Sequence, residues 1–322
     1  MKRQKISYIV WKSYQRRAEV LAPLLRANLE FMPHKFRSRY LRPLDYLLKT
    51  IATLRHILKY QPRLIIFQGP PLFAAIPAML LMVDYVVDAH NAVIQGIWGK
   101  LPLSKYIIRR ARAVIVHNSE ILKLAQTLFQ ETRFFNLQDP LQHIVRPNSK
   151  RLNNQILVIC SFASDEPIDI IIDSISKLSN YQFVITADTT KLQPLQQQRL
   201  NECQNINLTG FLPTEDYHTL LCTCTAALVL TTRDSTQPSG ACEALSSDTQ
   251  LIVSDSTLTR AMFGYWAVFV DNTVDSIVAA IQALESRSID LSHYRNEWNN
   301  SVHEAISELY LYFDLIETTD LK

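Results

Sequence analysis

Along this chain, short runs of branched apolar residues alternate with longer stretches whose apolar residues fall three and four apart. The first pattern predicts buried strands and the second predicts helices with one apolar face. In the N-terminal half the strands are expected at 6–10, 29–32, 64–67, 85–88 and 113–117, with helices at 14–27, 41–60, 71–83, 101–112 and 119–129. In the C-terminal half the strands are expected at 156–161, 183–187, 206–209, 226–230, 251–254 and 268–270. Helices follow at 167–179, 194–203, 214–224, 239–247, 257–263 and 273–285, and a last one at 289–317 has no strand after it. Regular strand–helix alternation argues for parallel sheets with helices on both faces. At 322 residues the chain is long enough for two such domains. The expected fold class is therefore α/β, with two Rossmann-like, doubly wound domains at 1–150 and 151–322. Their boundary is expected in the polar segment 147–154.

The helix expected at 41–60 places Leu44, Leu47, Leu48, Ile51, Leu54 and Leu58 on one face, with Arg42, Lys49, Arg55 and Lys59 largely off it. Two readings stay open: the stripe packs on its own sheet, or it inserts into a lipid surface whose anionic headgroups meet the basic residues.

Charge sharpens the division into halves. Residues 1–150 hold 24 Lys and Arg against 8 Asp and Glu, leaving 9 and 22 for residues 151–322. A basic half suits an anionic partner such as a phospholipid surface or a pyrophosphate-linked acceptor, or it simply attracts the acidic half. Nucleic acid is not expected, because no recognition module and no interleaving of basic and aromatic residues is present. The most apolar stretch, 64–87, is cut by Gly69, Pro70, Pro71 and Pro77 and is too short to span a bilayer. No secretory leader is read at the N-terminus, so a cytoplasmic protein is expected, with a peripheral place at the inner membrane face as an extension. The five cysteines show no CxxC spacing and read as small core side chains. Neither a metal site nor a cofactor is expected.

In open parallel sheets, ligands bind beyond the C-terminal ends of the strands. The residues that follow each expected strand are therefore the candidates. After 226–230 comes a polar loop with Arg233, then a helix start at Ser239 and Gly240 and a carboxylate one turn in, Glu243. Backbone N–H groups at such a helix start suit a diphosphate, and Glu243 suits a ribose diol. On spacing alone, Ser239 reads equally well as an N-cap and Glu243 as a favourable first-turn carboxylate. In the N-terminal half, Asp88, His90 and Asn91 follow one strand and Gln68 another.

These blocks carry a resemblance. Gly210-Phe-Leu-Pro, Tyr217-His-Thr-Leu-Leu, the 226–230 strand, Gly240-Ala-Cys-Glu-Ala-Leu and Leu251-Ile-Val-Ser-Asp, in that spacing, resemble the donor half of the family-4-like (group 1) GT-B glycosyltransferases. The likeness covers about 155–285 well and the N-terminal half more loosely. It implies two domains facing a cleft, with the last helix crossing back to the first domain. It also implies metal-independent transfer of a sugar from a nucleotide-diphosphate sugar to a glycan or a polyprenyl-pyrophosphate-linked acceptor, as in polysaccharide biosynthesis. By the same resemblance Ser239 and Gly240 face the donor diphosphate and Glu243 holds the ribose. Asp88-Ala-His90 resembles the element whose histidine faces the donor sugar, with Asp88 or His90 as the catalytic candidates, and Ser119 is expected to cap its helix.

Departures are also visible. Ser235, with Asp234 beside it, stands where many members have a first glutamate. Phe162-Ala-Ser-Asp-Glu-Pro lacks the expected basic pair, and Trp11-Lys-Ser-Tyr replaces a glycine-rich turn. Arg233 is the expected substitute for the missing positive charge. The departures keep open a non-catalytic module that binds a sugar nucleotide or a partner, and a nucleotide-sugar epimerase is a third reading.

Overall fold

The apolar runs are buried on both sides, as strands inside helix-covered parallel sheets are. The computed structural model describes residues 6–36, 38–148, 150–286 and 291–313. The chain divides into two compact units, Met1–Pro140 with Asn300–Lys322, and Leu141–Asn299.

The first unit contains β1 (Ile6–Val10), β2 (Asn28–Phe31), β3 (Leu64–Gly69), β4 (Asp84–Ala89), β5 (Ala113–Val116) and β6 (Phe134–Asn136). All pair in parallel, in the order β2-β1-β3-β4-β5-β6. Its helices are α1 (Arg16–Leu24), α2 (Arg42–Tyr60), α3 (Ile76–Leu80), α4 (Asn91–Ile94), α5 (Ile97–Lys100), α6 (Pro102–Arg110) and α7 (Ser119–Leu128). Ile9, Trp11, Phe67, Val87 and Val114 lie in its core. The short edge strand β6 escapes the sequence reading because only Phe134 and Phe135 mark it.

The second unit repeats the plan with β7 (Gln155–Val158), β8 (Gln182–Ile185), β9 (Ile206–Leu208), β10 (Ala226–Val229), β11 (Gln250–Ser254) and β12 (Val268–Val270). They too are all parallel, in the order β12-β11-β10-β7-β8-β9. Its helices are α8 (Ile168–Ser176), α9 (Pro194–Glu202), α10 (Thr214–Thr223), α11 (Ser239–Ser246), α12 (Thr257–Phe263) and α13 (Val274–Gln282). The stretch just before β7 belongs to this unit: the Gln142 N–H donates to Ser246 Oγ (3.0 Å), and Arg146 reaches Ser247 O (3.2 Å) and Asp248 (3.1 Å).

The last helix, α14 (Ser292–Tyr312), is shorter than the expected 289–317, whose ends partly lie outside the described residues. Trp298 stacks on Phe263 in the second unit, while Tyr312 donates to Arg112 O (3.1 Å) in the first.

Two caps differ from expectation. Asn118, not Ser119, caps α7: its side chain accepts from the Ile121 N–H at 2.9 Å. Pro238 precedes α11, so Ser239 is its first helical residue and not its N-cap.

Helix α2 departs further. It starts with Pro43 in its first turn and ends at Gln61, whose N–H still bonds Ile57 O and whose left-handed backbone turns the chain out of the helix. Asp45, Lys49, Thr53, His56 and Ile57 face inward and are buried. Leu44, Leu47, Ile51 and Leu58 face outward, with Leu48 and Leu54 half-buried. Packing of the stripe on its own sheet is therefore overturned for most of its residues. The inward side chains are held by named partners, which fixes the rotation of the helix. His56 Nε2 lies 3.0 Å from Ser7 Oγ, Trp11 Nε1 donates to Thr53, Lys49 donates to Trp11 O, and Asp45 holds His34 and the Lys35 N–H.

Candidate functional site

Because every strand of a parallel sheet ends on the same side, the loops after β1, β3, β4, β5 and β6 gather at one edge of the first unit. The register places Gln68 beside Asp88, and Asp88 beside Ile115. Asp88 was expected at an exposed rim, and the structure corrects this: the carboxylate is 0% exposed. Arg17, from the first turn of α1, sets its Nε 3.2 and 3.1 Å from the two carboxylate oxygens. The Tyr8 hydroxyl donates to the same group, and His117 Nε2 lies 3.4 Å from it. Arg17 also bridges to Asp139 and to Leu137 O.

Burial alone would raise the pKa of Asp88, but Arg17 and then His117 outweigh it and hold the carboxyl well below its usual range. The Tyr8 phenol is pushed up by burial and by Asp88, so it stays protonated and keeps donating. A carboxylate so occupied is a poor general base. Its evident work is to anchor Arg17 and orient the groups around it.

His90 stands just before α4 and is half-buried. Its Nε2 lies 2.8 Å from the side-chain amides of both Gln15 and Gln68, and its ring meets His117 edge-on at 4.6 Å. Burial first, then His117, lowers its pKa to about 3, so the imidazole is neutral at physiological pH. It can therefore donate or accept a hydrogen bond, but it carries no charge.

In the second unit α11 runs close against the sheet. A side chain at Gly240 would place a Cβ 2.8 Å from Ile159 and 3.1 Å from Val229, so this glycine is required by packing. Pro238, at the N-cap position of α11, has no side chain that can cap its first turn, and Ser239 is exposed there. Glu243, one turn in, is buried and accepts from the Tyr217 hydroxyl of α10.

The neighbouring loop after β7 contains its own anion. Glu166 accepts from the Ser161 and Ala163 N–H groups at 2.9–3.1 Å and from Ser161 Oγ. Beside it, Asp165 lies 3.5 Å from Arg233, whose side chain is largely exposed. Lys191, from the loop after β8, donates to Ser161 O at 3.3 Å. Two cations thus reach the loop in which the sequence shows no basic pair. The structure brings Arg233, Ser239, Gly240 and Glu243 onto one edge of one unit, and Asp88 with His90 onto the corresponding edge of the other. Sequence reasoning missed Arg17, Asp139, His117 and Lys191, whose partners are remote in the chain. Tyr217 could have been found, since it stands inside one of the resembling blocks. Among the described residues no group of His, Cys, Asp or Glu is arranged to hold a metal ion.

Solved structures share this architecture. Anabaena HepE, in complex with UDP and glucose, superposes with a TM-score of 0.67 at 12% identity, over 96% of this chain and 95% of its own. The UDP-GlcNAc 2-epimerase from Methanocaldococcus jannaschii gives 0.57 at 12% identity, over 95% and 99%. TarM gives 0.58 at 16% identity over 78% of this chain, which spans about half, 54%, of TarM. The fold is GT-B. No family model matches the chain, and no curated protein matches it in sequence. GT-B therefore describes the two Rossmann-like domains, and it serves transferases and epimerases alike.

Proposed function

We propose that the chain is a glycosyltransferase that takes a sugar from a nucleotide-diphosphate donor and passes it to a saccharide or lipid-linked acceptor. The observation that supports this most is the α11 start: a proline, with no capping side chain, ahead of Ser239 and Gly240, and a buried carboxylate, Glu243, one turn further on. In this reading the ribose diol donates to Glu243 in place of the Tyr217 hydroxyl, and the diphosphate meets the first N–H groups of α11. Arg233 and Lys191 neutralise the leaving diphosphate as its charge grows. For this, Arg233 exchanges Asp165 for the phosphate, which its exposure permits. His90, neutral and held by two glutamines, serves the sugar or acceptor hydroxyl, and Asp88 acts through Arg17 and His117 as a positioning residue. HepE, bound to UDP and glucose, shares the fold and supports this ligand class. A polyprenyl-pyrophosphate-linked acceptor at the inner face of a membrane fits the basic first half.

A second reading, a non-catalytic sugar-nucleotide-binding or partner-docking module, is favoured by one observation. Glu166 already fills the N–H groups of the loop after β7.

The test is a thermal-shift panel of nucleoside diphosphates and their sugars on the wild type and on Glu243→Ala, followed by assay of nucleoside diphosphate release. One nucleotide series should stabilise the wild type, by about 2.7 kcal/mol at a hundredfold excess over Kd, and the variant should lose that response. No response to any nucleotide would overturn the donor site. Binding without turnover would favour the non-catalytic module, and C2 epimerisation of the bound sugar would favour an epimerase.

A further inference from the structure

Helix α2 buries Asp45, Lys49, Thr53 and His56 and exposes Leu44, Leu47, Ile51 and Leu58, and neighbouring helices also carry exposed apolar side chains. Strands β2, β3, β4 and β5 follow one another across the sheet, apart from the β1 position. Right-handed crossovers therefore place α2, α3 and α6 on the same side of it, with α1 on the other. Contacts of α2 with α3, and of α6 with the turn that precedes α3, agree with this layer. Its outer surface exposes Leu47 (56%) and Leu58 (62%) on α2, Ile97 (72%) on α5, and Leu103 and Tyr106 on α6. Monomeric proteins rarely leave so much apolar surface in one layer uncovered.

Across α2, α3, α5 and α6 the exposed charges have one sign, and the next helix of the layer, α7, adds Glu120 and Lys123. Arg55, Lys59, Lys100, Lys105, Arg109 and Arg110 are exposed there. No Asp or Glu occurs between Asp45 and Asp84, or between Asp88 and Glu120. Asp45 itself is buried and faces inward. A two-fold contact between two copies of this face would set like charges against each other. No described helix is long and apolar enough to cross a membrane, so the face can lie on a bilayer without spanning it.

We propose that the α2–α6 layer of the first unit is a docking face for an anionic lipid bilayer. The leucines of α2 and the apolar residues of α5 and α6 enter the headgroup boundary, and the Lys and Arg residues pair with lipid phosphates. This rests on the first unit alone and holds whatever the second unit binds.

The test is flotation of the full chain with vesicles of phosphatidylcholine alone, or of equal parts phosphatidylcholine and phosphatidylglycerol. Binding should need the anionic lipid and weaken with salt. The Leu44→Ser, Leu47→Ser, Leu58→Ser triple variant should bind at least about tenfold more weakly at low salt. An Arg55→Gln, Lys59→Gln variant should lose about tenfold on anionic vesicles. Circular dichroism and thermal melting identify a variant that fails to fold, in which case Leu103→Ser with Tyr106→Ser on α6 replaces it. Three results would overturn the proposal: no binding to either vesicle, full binding by the leucine variants, or a dimer that those variants dissolve while vesicles stay unbound.

Discussion

Helices α2 and α8 have similar apolar periodicity and face opposite ways. In α8, Ile168, Ile171, Ile172 and Ile175 point into the core, while Asp169 and Asp173 reach outward to Arg199. In α2 the outward face is leucine, and the buried face is Asp45, Lys49, Thr53 and His56, with Ile57. The difference lies in what awaits each helix. The sheet under α8 offers apolar side chains such as Ile156 and Phe183. The surface under α2 offers Ser7 Oγ, Trp11 O, Trp11 Nε1 and His34, each needing a polar partner. Once those bonds form, the cost of burying polar groups is offset and the leucines are left outside. Periodicity gives a stripe. It does not say which way the stripe points.

The comparison breaks most visibly at Asp45. Its removal in Asp45→Ala strips His34 and the Lys35 N–H of their charged acceptor and takes a negative charge from near the buried Lys49, and should cost about 3–5 kcal/mol in urea unfolding. A loss below about 1 kcal/mol would mean that the inward polar face of α2 is not structural. Next come the two stripes themselves. Ile172→Ala should cost about 2–5 kcal/mol through its cavity, whereas Leu58→Ala should stay within about 0.5 kcal/mol because its side chain is 62% exposed. Equal losses would contradict the opposite orientations.

The smallest expected effect concerns pH. Burial lowers the pKa of His56 on the inward face of α2 from 6.5, and that of His90 to about 3. Both are neutral in the fold and protonate more readily when unfolded. Their contribution to stability is thus complete above about pH 6.5 and is lost as the pH falls below it. Asp45, held below 3.8, keeps its contribution through the upper part of that window. Between pH 6.5 and 4.5 the stability of the wild type should therefore decline, and His56→Gln should decline less. Parallel curves would show that His56 is not titrating.

The candidate site was legible to an uneven degree. Glu243, Ser239 and Gly240 lie within one short segment, so their common placement could be read from spacing. The surroundings of Asp88 could not, because Arg17 comes from α1, His117 from just after β5, and Asp139, which binds Arg17, from the segment after β6. Their convergence turned an expected rim carboxylate into a buried anchor. Lys191 and Glu166 likewise meet around Ser161 only because β7 and β8 are neighbours in the sheet.

What the sequence by itself determined is the succession of strands and helices, the two-domain α/β plan, and the loop-to-helix segment around α11. These depend on local period and on residues close in the chain, whose geometry the backbone dictates. Only the tertiary structure decided the outward face of α2, the occupation of Asp88, and the pairing of Arg233 with Asp165. Each of those is an equilibrium between polar groups far apart in sequence, and their partners exist only after the sheets have formed.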